Sequence, residues 1–175
     1  GHDIGGHLQP KGVRETDPEL YTRWLQSGVF TPIYKTHSTK DLTMEKRFWV
    51  FPDYFDTMRD AIRLRYDLAP YIYNAARQTY DTGISMCRPM YYDYTEDNEA
   101  YEWKEEFMFG DNILATTVCS PVDKATGLAK RGMWFPEGND WYDVATGTMI
   151  KGGQKDTLTY TINENPYYVK AGAII

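Results

Sequence analysis

The chain has 175 residues, 42% of them hydrophobic, which is enough apolar material for the core of one domain or of two small ones. Its formal net charge of −6 is spread without long blocks of one sign, and this argues against a nucleic-acid partner, because binding to phosphates depends on clustered Lys and Arg. Nothing approaches the roughly 20 consecutive apolar residues that cross a bilayer, so we expect no membrane role for this stretch.

The first predicted helix runs from Thr16 to Gly28. Thr16 can cap its N-terminus, Glu19 can reach back in a capping box, and Gly28 is a natural stop. The apolar, β-favouring residues 29–34 then predict a short buried strand, which ends at the polar residues 35–37.

A long helical stretch is expected from about residue 53 to Gly83, with Pro70 kinking or breaking it. Strand, helix, strand and helix in this order predict the last portion of an α/β barrel or of a doubly wound sheet.

After Gly83 the pattern changes to short apolar or aromatic runs separated by turn residues, which is typical of an all-β domain. The runs lie at residues 90–94, 107–109, 113–118, 133–135, 157–162 and 167–169. We therefore predict two domains, at residues 1–85 and 86–175.

The two cysteines, Cys87 and Cys119, lie far apart and form no CxxC motif, so neither a thiol redox pair nor a zinc site is expected. Each sits in an apolar, strand-like run, which favours two buried free thiols over a disulfide. The compartment stays open.

Two polar clusters follow the first two predicted strands, at residues 2–7 and 34–38. The carboxyl ends of successive barrel strands line one pocket, so these clusters would face the same ligand. Asp3 could accept two sugar hydroxyls, and His37 could donate to one. Each also has an ordinary alternative, since Asp-Ile-Gly-Gly is a common turn and a single His at a strand end is often a surface residue.

Other site chemistries find less support. His2, Asp3, His7 and His37 could in principle bind a metal, but their spacing matches no standard pattern, and we expect no metal. The glycines form neither a P-loop nor a GxGxxG motif, and no nucleophile elbow is present.

Taken in chain order, several segments resemble the seventh and eighth barrel segments, and the following domain, of glycoside hydrolase family 31. They are HDIGG at residues 2–6, DPELYTRWLQSGVFTP at 17–32, THS at 36–38, RYDLAPYIY at 65–73, RP at 88–89, FMFGD at 107–111, WYD at 141–143 and VKAGAII at 169–175. The resemblance covers essentially the whole chain. It implies an α/β plus all-β fold, namely the last two β/α units of a (β/α)8 TIM barrel followed by an antiparallel β-sandwich.

The resemblance also implies roles for individual residues. Asp3 resembles the family's aspartate that contacts the sugar in the cleaved-side subsite, and His37 resembles the histidine that hydrogen-bonds the same sugar. Lys35 stands where the family usually has Arg, which keeps the charge but loses the planar fork. His7 replaces a frequent Phe and would make one pocket edge more polar. We therefore predict substrate binding by Asp3, His37, Lys35 and His7.

The family hydrolyses α-glycosides with retention by two aspartates in motifs that do not occur in this chain. The expected parent enzyme releases α-linked glucose or xylose from oligosaccharides without a cofactor, and this chain alone should be inactive. We expect it to be a piece of a longer polypeptide, with the rest of the barrel as its partner. The competing hypothesis is a non-catalytic carbohydrate-binding or structural β-module, which the aromatic content of 15% would also suit.

Overall fold

The computed structural model describes residues 1–41 and 43–175. Three helices dominate its first part: α1 at Pro18–Gly28, α2 at Phe55–Asp67 and α3 at Ala69–Thr82. Within the described ranges, no helix has both the length and the apolar character that a membrane crossing requires.

The N-cap of helix α1 lies one residue later than predicted. Asp17 is its N-cap, with the carboxylate accepting from the backbone N–H of Leu20 at 2.9 Å. The Thr16 hydroxyl instead donates to the backbone oxygen of Glu45 at 3.1 Å, and the Glu19 carboxylate accepts from the N–H of Val122 at 2.7 Å. The predicted capping box is therefore wrong, because both side chains have tertiary partners.

The predicted strand at residues 29–34 is also wrong. Val29 and Phe30 are fully buried, but their N–H groups donate to Gln26 and Ser27 and continue the end of α1 as turns. Arg65 donates to the backbone oxygens of Val29, Thr31 and Pro32, so these three groups need no neighbouring strand to satisfy them. The extended conformation that pairs with another segment occurs only at Thr36.

The break at Pro70 is confirmed. Leu68 separates α2 from α3, and Pro70 occupies the permissive first turn of α3. Gly83 ends α3 in the left-handed conformation, with φ of 73°.

The second part of the chain forms two antiparallel sheets. The strands are β1 at Cys87–Pro89, β2 at Glu106–Phe109, β3 at Ile113–Thr116, β4 at Ala129–Phe135, β5 at Trp141–Asp143, β6 at Met149–Ile150, β7 at Gln154–Tyr160 and β8 at Tyr167–Lys170. One sheet has the order β1-β2-β3-β8-β5-β6, and the other pairs β4 with β7. The predicted run at residues 90–94 is wrong as a strand, since Met90–Tyr92 is a 3-10 turn that follows β1.

The two sheets face each other across an apolar core, as in a β-sandwich. Met108, Leu114 and Tyr168 of the larger sheet pack against Met133 and Phe135 of β4. The rings of Phe135 and Tyr168 meet edge to face at a centroid distance of 4.9 Å.

Helix α1 is hydrogen-bonded to the loop between β7 and β8. Arg23 donates to the backbone oxygens of Thr161 and Glu164 at 3.0 and 3.1 Å, and Gln26 donates to that of Ile162 at 2.7 Å. Both side chains of α1 are buried. The β-sandwich is therefore fixed to α1, which lies in the sequence between the polar residues 2–7 and 34–38.

Both cysteines are free thiols, as predicted. The prediction that they are buried is wrong, because Cys87 is half-buried and Cys119 is exposed. Cys119 lies beyond the end of β3, where the chain has already left the sheet.

Candidate functional site

Asp3 and Lys35 lie at the ends of two neighbouring extended segments. Ile4 forms a parallel bridge with Thr36, and its N–H donates to the backbone oxygen of Lys35 at 3.3 Å. Ile4 is fully buried and packs with Tyr21 and Leu25 of α1, which holds the bridge against the helix. The polar side chains that flank the bridge are thereby brought to one edge.

Two glycines return the chain over Asp3. Gly5 and Gly6 have φ of 82° and 85°, a conformation that other residues adopt only with strain. Within this turn the N–H of Gly6 donates to the backbone oxygen of Asp3 at 2.8 Å. His7 then lies beside the second segment, where its backbone oxygen accepts from the N–H of Thr39 at 3.1 Å.

Lys46 and Tyr21 stabilise the turn at Gly5 and Gly6. The Lys46 ammonium donates to the backbone oxygen of Gly5 and lies 5.4 Å from the centre of the Tyr21 ring. The Tyr21 hydroxyl donates to the backbone oxygen of Lys46 at 2.9 Å. Burial raises the pKa of Tyr21 to about 12, so the hydroxyl stays a donor at neutral pH.

The four predicted site residues converge at this edge, and we call them the Asp3 cluster: Asp3, His7, Lys35 and His37. Lys35 Nζ donates to Asp3 Oδ1 at 2.8 Å, while His7 Nδ1 lies 3.9 Å from Asp3 Oδ2. The rings of His7 and His37 stack with centroids 5.0 Å apart and an interplanar angle of 21°.

The Asp3 cluster is accessible and carries mixed charge. The Asp3 side chain is 35% exposed and that of Lys35 is 48% exposed. The hydrogen bond from Lys35 lowers the pKa of Asp3, with further contributions from the charge of Lys35 and from the two histidines. Asp3 is therefore ionised at neutral pH, with Oδ1 engaged and Oδ2 directed toward the imidazoles.

Arg65 of α2 anchors the segment that leads to His37. Its guanidinium donates to the backbone oxygens of Val29, Thr31 and Pro32 at 2.6, 2.5 and 2.9 Å. It also lies 5.9 Å from the centre of the Tyr34 ring. One side chain thus fixes the path of the chain just before Lys35.

The third histidine, His2, lies apart from the Asp3 cluster. Its Nδ1 accepts from Trp24 Nε1 at 2.8 Å, and burial lowers the pKa of its imidazole, so the ring is held neutral. His2 and Trp24 line a separate groove of about 470 Å³ between α1 and residues 117–121.

Sequence reasoning found the members of the Asp3 cluster but missed two residues that position them. Arg65 had a signal, since it belongs to the segment at residues 65–73 that resembles the family. Lys46 had none, because its contact with Gly5 depends on how two distant loops meet. Potential metal donors of Asp3, His7 and His37 lie within 4.8 Å of one another, a proximity that the sequence spacing did not predict.

Comparison with known families places both parts of the chain. Residues 1–75 match the model described as the glycosyl hydrolases family 31 TIM-barrel domain, and residues 83–175 match the glycosyl hydrolase family 31 C-terminal domain. An α-xylosidase from Saccharolobus solfataricus is 33% identical over 99% of this chain, and alpha-glucosidase 2 from Bacillus thermoamyloliquefaciens is 31% identical over all of it.

Solved structures agree with this assignment. A family 31 α-xylosidase from a soil metagenome, complexed with xylose, aligns over 98% of the chain with a TM-score of 0.82 and 27% identity. A family 31 dextranase from Flavobacterium johnsoniae, complexed with glucose, aligns over 99% with a TM-score of 0.79 and 30% identity.

The chain spans 23% and 21% of the lengths of the two curated relatives named above, and 27% and 21% of the two solved chains. The matched portion is the end of the TIM barrel and the antiparallel β-domain that follows it. On these matches, the chain belongs to glycosyl hydrolase family 31.

Proposed function

We propose that the full-length protein containing this chain is a retaining α-glycoside hydrolase that releases terminal α-linked glucose or xylose from oligosaccharides. The observation that carries the proposal is the isolated Ile4–Thr36 bridge, which brings Asp3 and His37 together with their donor atoms within 4.8 Å of each other. The names of the relatives, an α-xylosidase and an α-glucosidase, support the reaction class.

Asp3 and His37 form one wall of the sugar subsite in this proposal. Asp3 is ionised, and its Oδ2 is available to accept a sugar hydroxyl because Lys35 occupies only Oδ1. A fixed negative charge near the sugar ring also stabilises the positive charge that develops in the transition state. The exposed His37 imidazole donates to a neighbouring hydroxyl.

Lys35 and His7 adjust this wall. Lys35 orients the Asp3 carboxylate by a single charge-assisted hydrogen bond, where an Arg would offer a planar pair of donors. His7 stacks on His37 and thereby restricts the orientation of that imidazole. Its own polar edge borders the proposed subsite.

The catalytic nucleophile and the acid/base are proposed to lie outside these 175 residues. A retaining glycosidase needs two carboxyl groups about 5 to 5.5 Å apart on either side of the anomeric carbon. Asp3 is paired with a lysine and flanked by imidazoles, an arrangement suited to binding and charge stabilisation. The chain alone should therefore not cleave glycosides.

We assign residues 1–85 to the barrel and 86–175 to the β-sandwich, and we propose a structural role for the latter. The contacts of Arg23 and Gln26 with the loop between β7 and β8 support this role, because they hold α1 in place. Helix α1 in turn packs against Ile4 at the site.

A substrate panel with aryl α-glucoside, α-xyloside and α-galactoside tests the proposal on the full-length protein. We expect turnover of the glucoside or the xyloside, with the α-anomer of the sugar as the first product in a time-resolved NMR spectrum. A first product of β configuration, or turnover of the galactoside alone, would contradict it. Turnover by the separate 175-residue chain would contradict the proposal that the nucleophile and the acid/base lie outside it.

A further inference from the structure

The Asp3 cluster presents three metal-binding groups to one point. One donor atom from each of Asp3, His7 and His37 lies within 4.8 Å of the other two. Imidazole nitrogens and carboxylate oxygens are ligands that zinc and similar transition metals bind readily. The sequence spacing hid this set, because two glycines fold His7 back over Asp3.

The backbone holds these ligands on two segments that are fastened to each other. The Ile4–Thr36 bridge joins the segments below the site, and the hydrogen bond from Thr39 to His7 joins them beyond it. Because the frame is fixed, bringing the donors together needs only side-chain rotations, in which the His7 and His37 rings give up part of their stacking.

The required movement is small. Ligand atoms at about 2.0 to 2.2 Å from a tetrahedral zinc ion are about 3.3 to 3.6 Å from one another. The donors here start within 4.8 Å, so shifts of about 1 Å close the site. Lys35 uses only Oδ1 of Asp3 and leaves Oδ2, which faces His7, for the ion.

The geometry points to a divalent transition-metal site formed by Asp3, His7 and His37, which takes zinc, nickel or copper(II) in preference to magnesium or calcium. Magnesium and calcium favour sites built from oxygen ligands, whereas two of these three ligands are imidazoles. A consequence that rests on the proposed function is inhibition, because the ion would occupy the groups that bind the sugar.

Zinc binding to the full-length protein tests the site directly. We compare the wild type with His7→Phe by calorimetric titration with zinc chloride, and His2→Asn is the matched control that removes a histidine outside the Asp3 cluster. His7→Phe should weaken one zinc site by about tenfold or more, since even changes in outer-shell partners of metal ligands cost about 10- to 100-fold. His2→Asn should leave that site unchanged.

Lys35→Met gives a second measurement with the opposite sign. Removal of the ammonium 2.8 Å from Asp3 relieves its repulsion of the ion and should tighten zinc binding severalfold. Circular dichroism confirms that each variant is folded. Equal zinc affinity of the wild type and His7→Phe, or no zinc binding by the wild type at 1 mM, would overturn the proposal.

Inhibition of turnover is measured separately, so that the two proposals can fail independently. Zinc that binds through His7 without competing with the aryl glycoside would retain the metal site and contradict the assignment of Asp3 and His37 to the sugar subsite. If His7→Phe loses zinc binding and the wild type turns over no glycoside, the metal site is supported and the proposed function is contradicted.

Discussion

Lys35 donates to Asp3 between the two segments that the Ile4–Thr36 bridge joins, with Nζ 2.8 Å from Oδ1. This single contact lowers the pKa of Asp3 and directs the other carboxylate oxygen toward His7. A lysine on the second segment thus stabilises the carboxylate form of an aspartate on the first and sets its orientation.

Lys35→Met should raise the pKa of Asp3 toward its ordinary value, because the hydrogen bond that stabilises the carboxylate is lost. If the Asp3 anion binds the sugar, the acid limb of the pH profile of kcat/KM should move to higher pH in this variant. Lys130→Met, which removes an exposed lysine of β4, is the control and should leave the profile in place. An unchanged acid limb in Lys35→Met would show that Asp3 ionisation does not control binding.

His37→Ala should lower kcat/KM of the full-length protein. The loss should correspond to roughly 2 to 4 kcal/mol of transition-state stabilisation, as expected for a well-placed polar contact. Steady-state kinetics with the preferred aryl α-glycoside measures the effect. His2→Asn is the control, since His2 is turned toward Trp24. A decrease of less than about tenfold, or 1.4 kcal/mol, would assign His37 a structural role.

Arg65→Met should destabilise the protein by about 2 to 4 kcal/mol, because three backbone oxygens lose a charged donor. It should also lower kcat/KM, since the segment before Lys35 loses its anchor. Urea unfolding and steady-state kinetics measure the two effects. Arg63→Met is the control on the same helix, and its exposed side chain predicts a change within about 0.5 kcal/mol.

Glu106 in β2 predicts a pH dependence of stability. Its side chain is almost fully buried, its Oε1 accepts from the N–H of Trp134 at 2.8 Å, and burial raises its pKa from 4.5 to about 8. The folded state therefore keeps a proton that the unfolded state releases above about 4.5. The stability from this group is fully present below that pH and is lost as pH rises through about 8.

Between pH 5 and pH 8, ionisation of Glu106 should lower the free energy of unfolding of the wild type by on the order of 3 kcal/mol, and Glu106→Gln should not show this decrease. The comparison is the free energy of unfolding of variant and wild type at both pH values. Glu105→Gln is the matched control, because the Glu105 side chain is 48% exposed and its ion pair with Arg131 contributes little. A pH dependence that persists in Glu106→Gln would mean that Glu106 is ionised in the folded protein.

The β-rich half of the chain was predictable because its signals are local. Residues 107–109 and 133–135 are mostly buried, strand-favouring runs between turn residues, and both lie in strands. Residues 29–34 carry the same signal but are satisfied by Arg65, more than 30 residues away, and no local pattern encodes that contact. The sequence pattern predicted burial correctly for residues 29–31, whereas residues 32 and 33 are exposed and the segment does not form a strand.

The sequence likewise predicted one part of the candidate site and not the other. Asp3 and His37 were identified by their motifs, and their proximity followed from the expectation that adjacent strand ends share an edge. The approach of His7 to Asp3 and His37 depends on the φ values of Gly5 and Gly6. Glycine allows many conformations, so its presence alone did not reveal which one brings the three ligands together.

The most direct test of the account is kcat/KM of Asp3→Asn in the full-length protein, measured on the preferred aryl α-glycoside beside Asp60→Asn. The control makes the same chemical change at an aspartate of α2 whose side chain is 62% exposed. We predict a loss of at least about 100-fold for Asp3→Asn, because the amide removes the negative charge and replaces one of the two acceptor oxygens with an NH2 donor, and no loss for Asp60→Asn. Equal activity of the two variants would contradict a role for Asp3 in the sugar subsite.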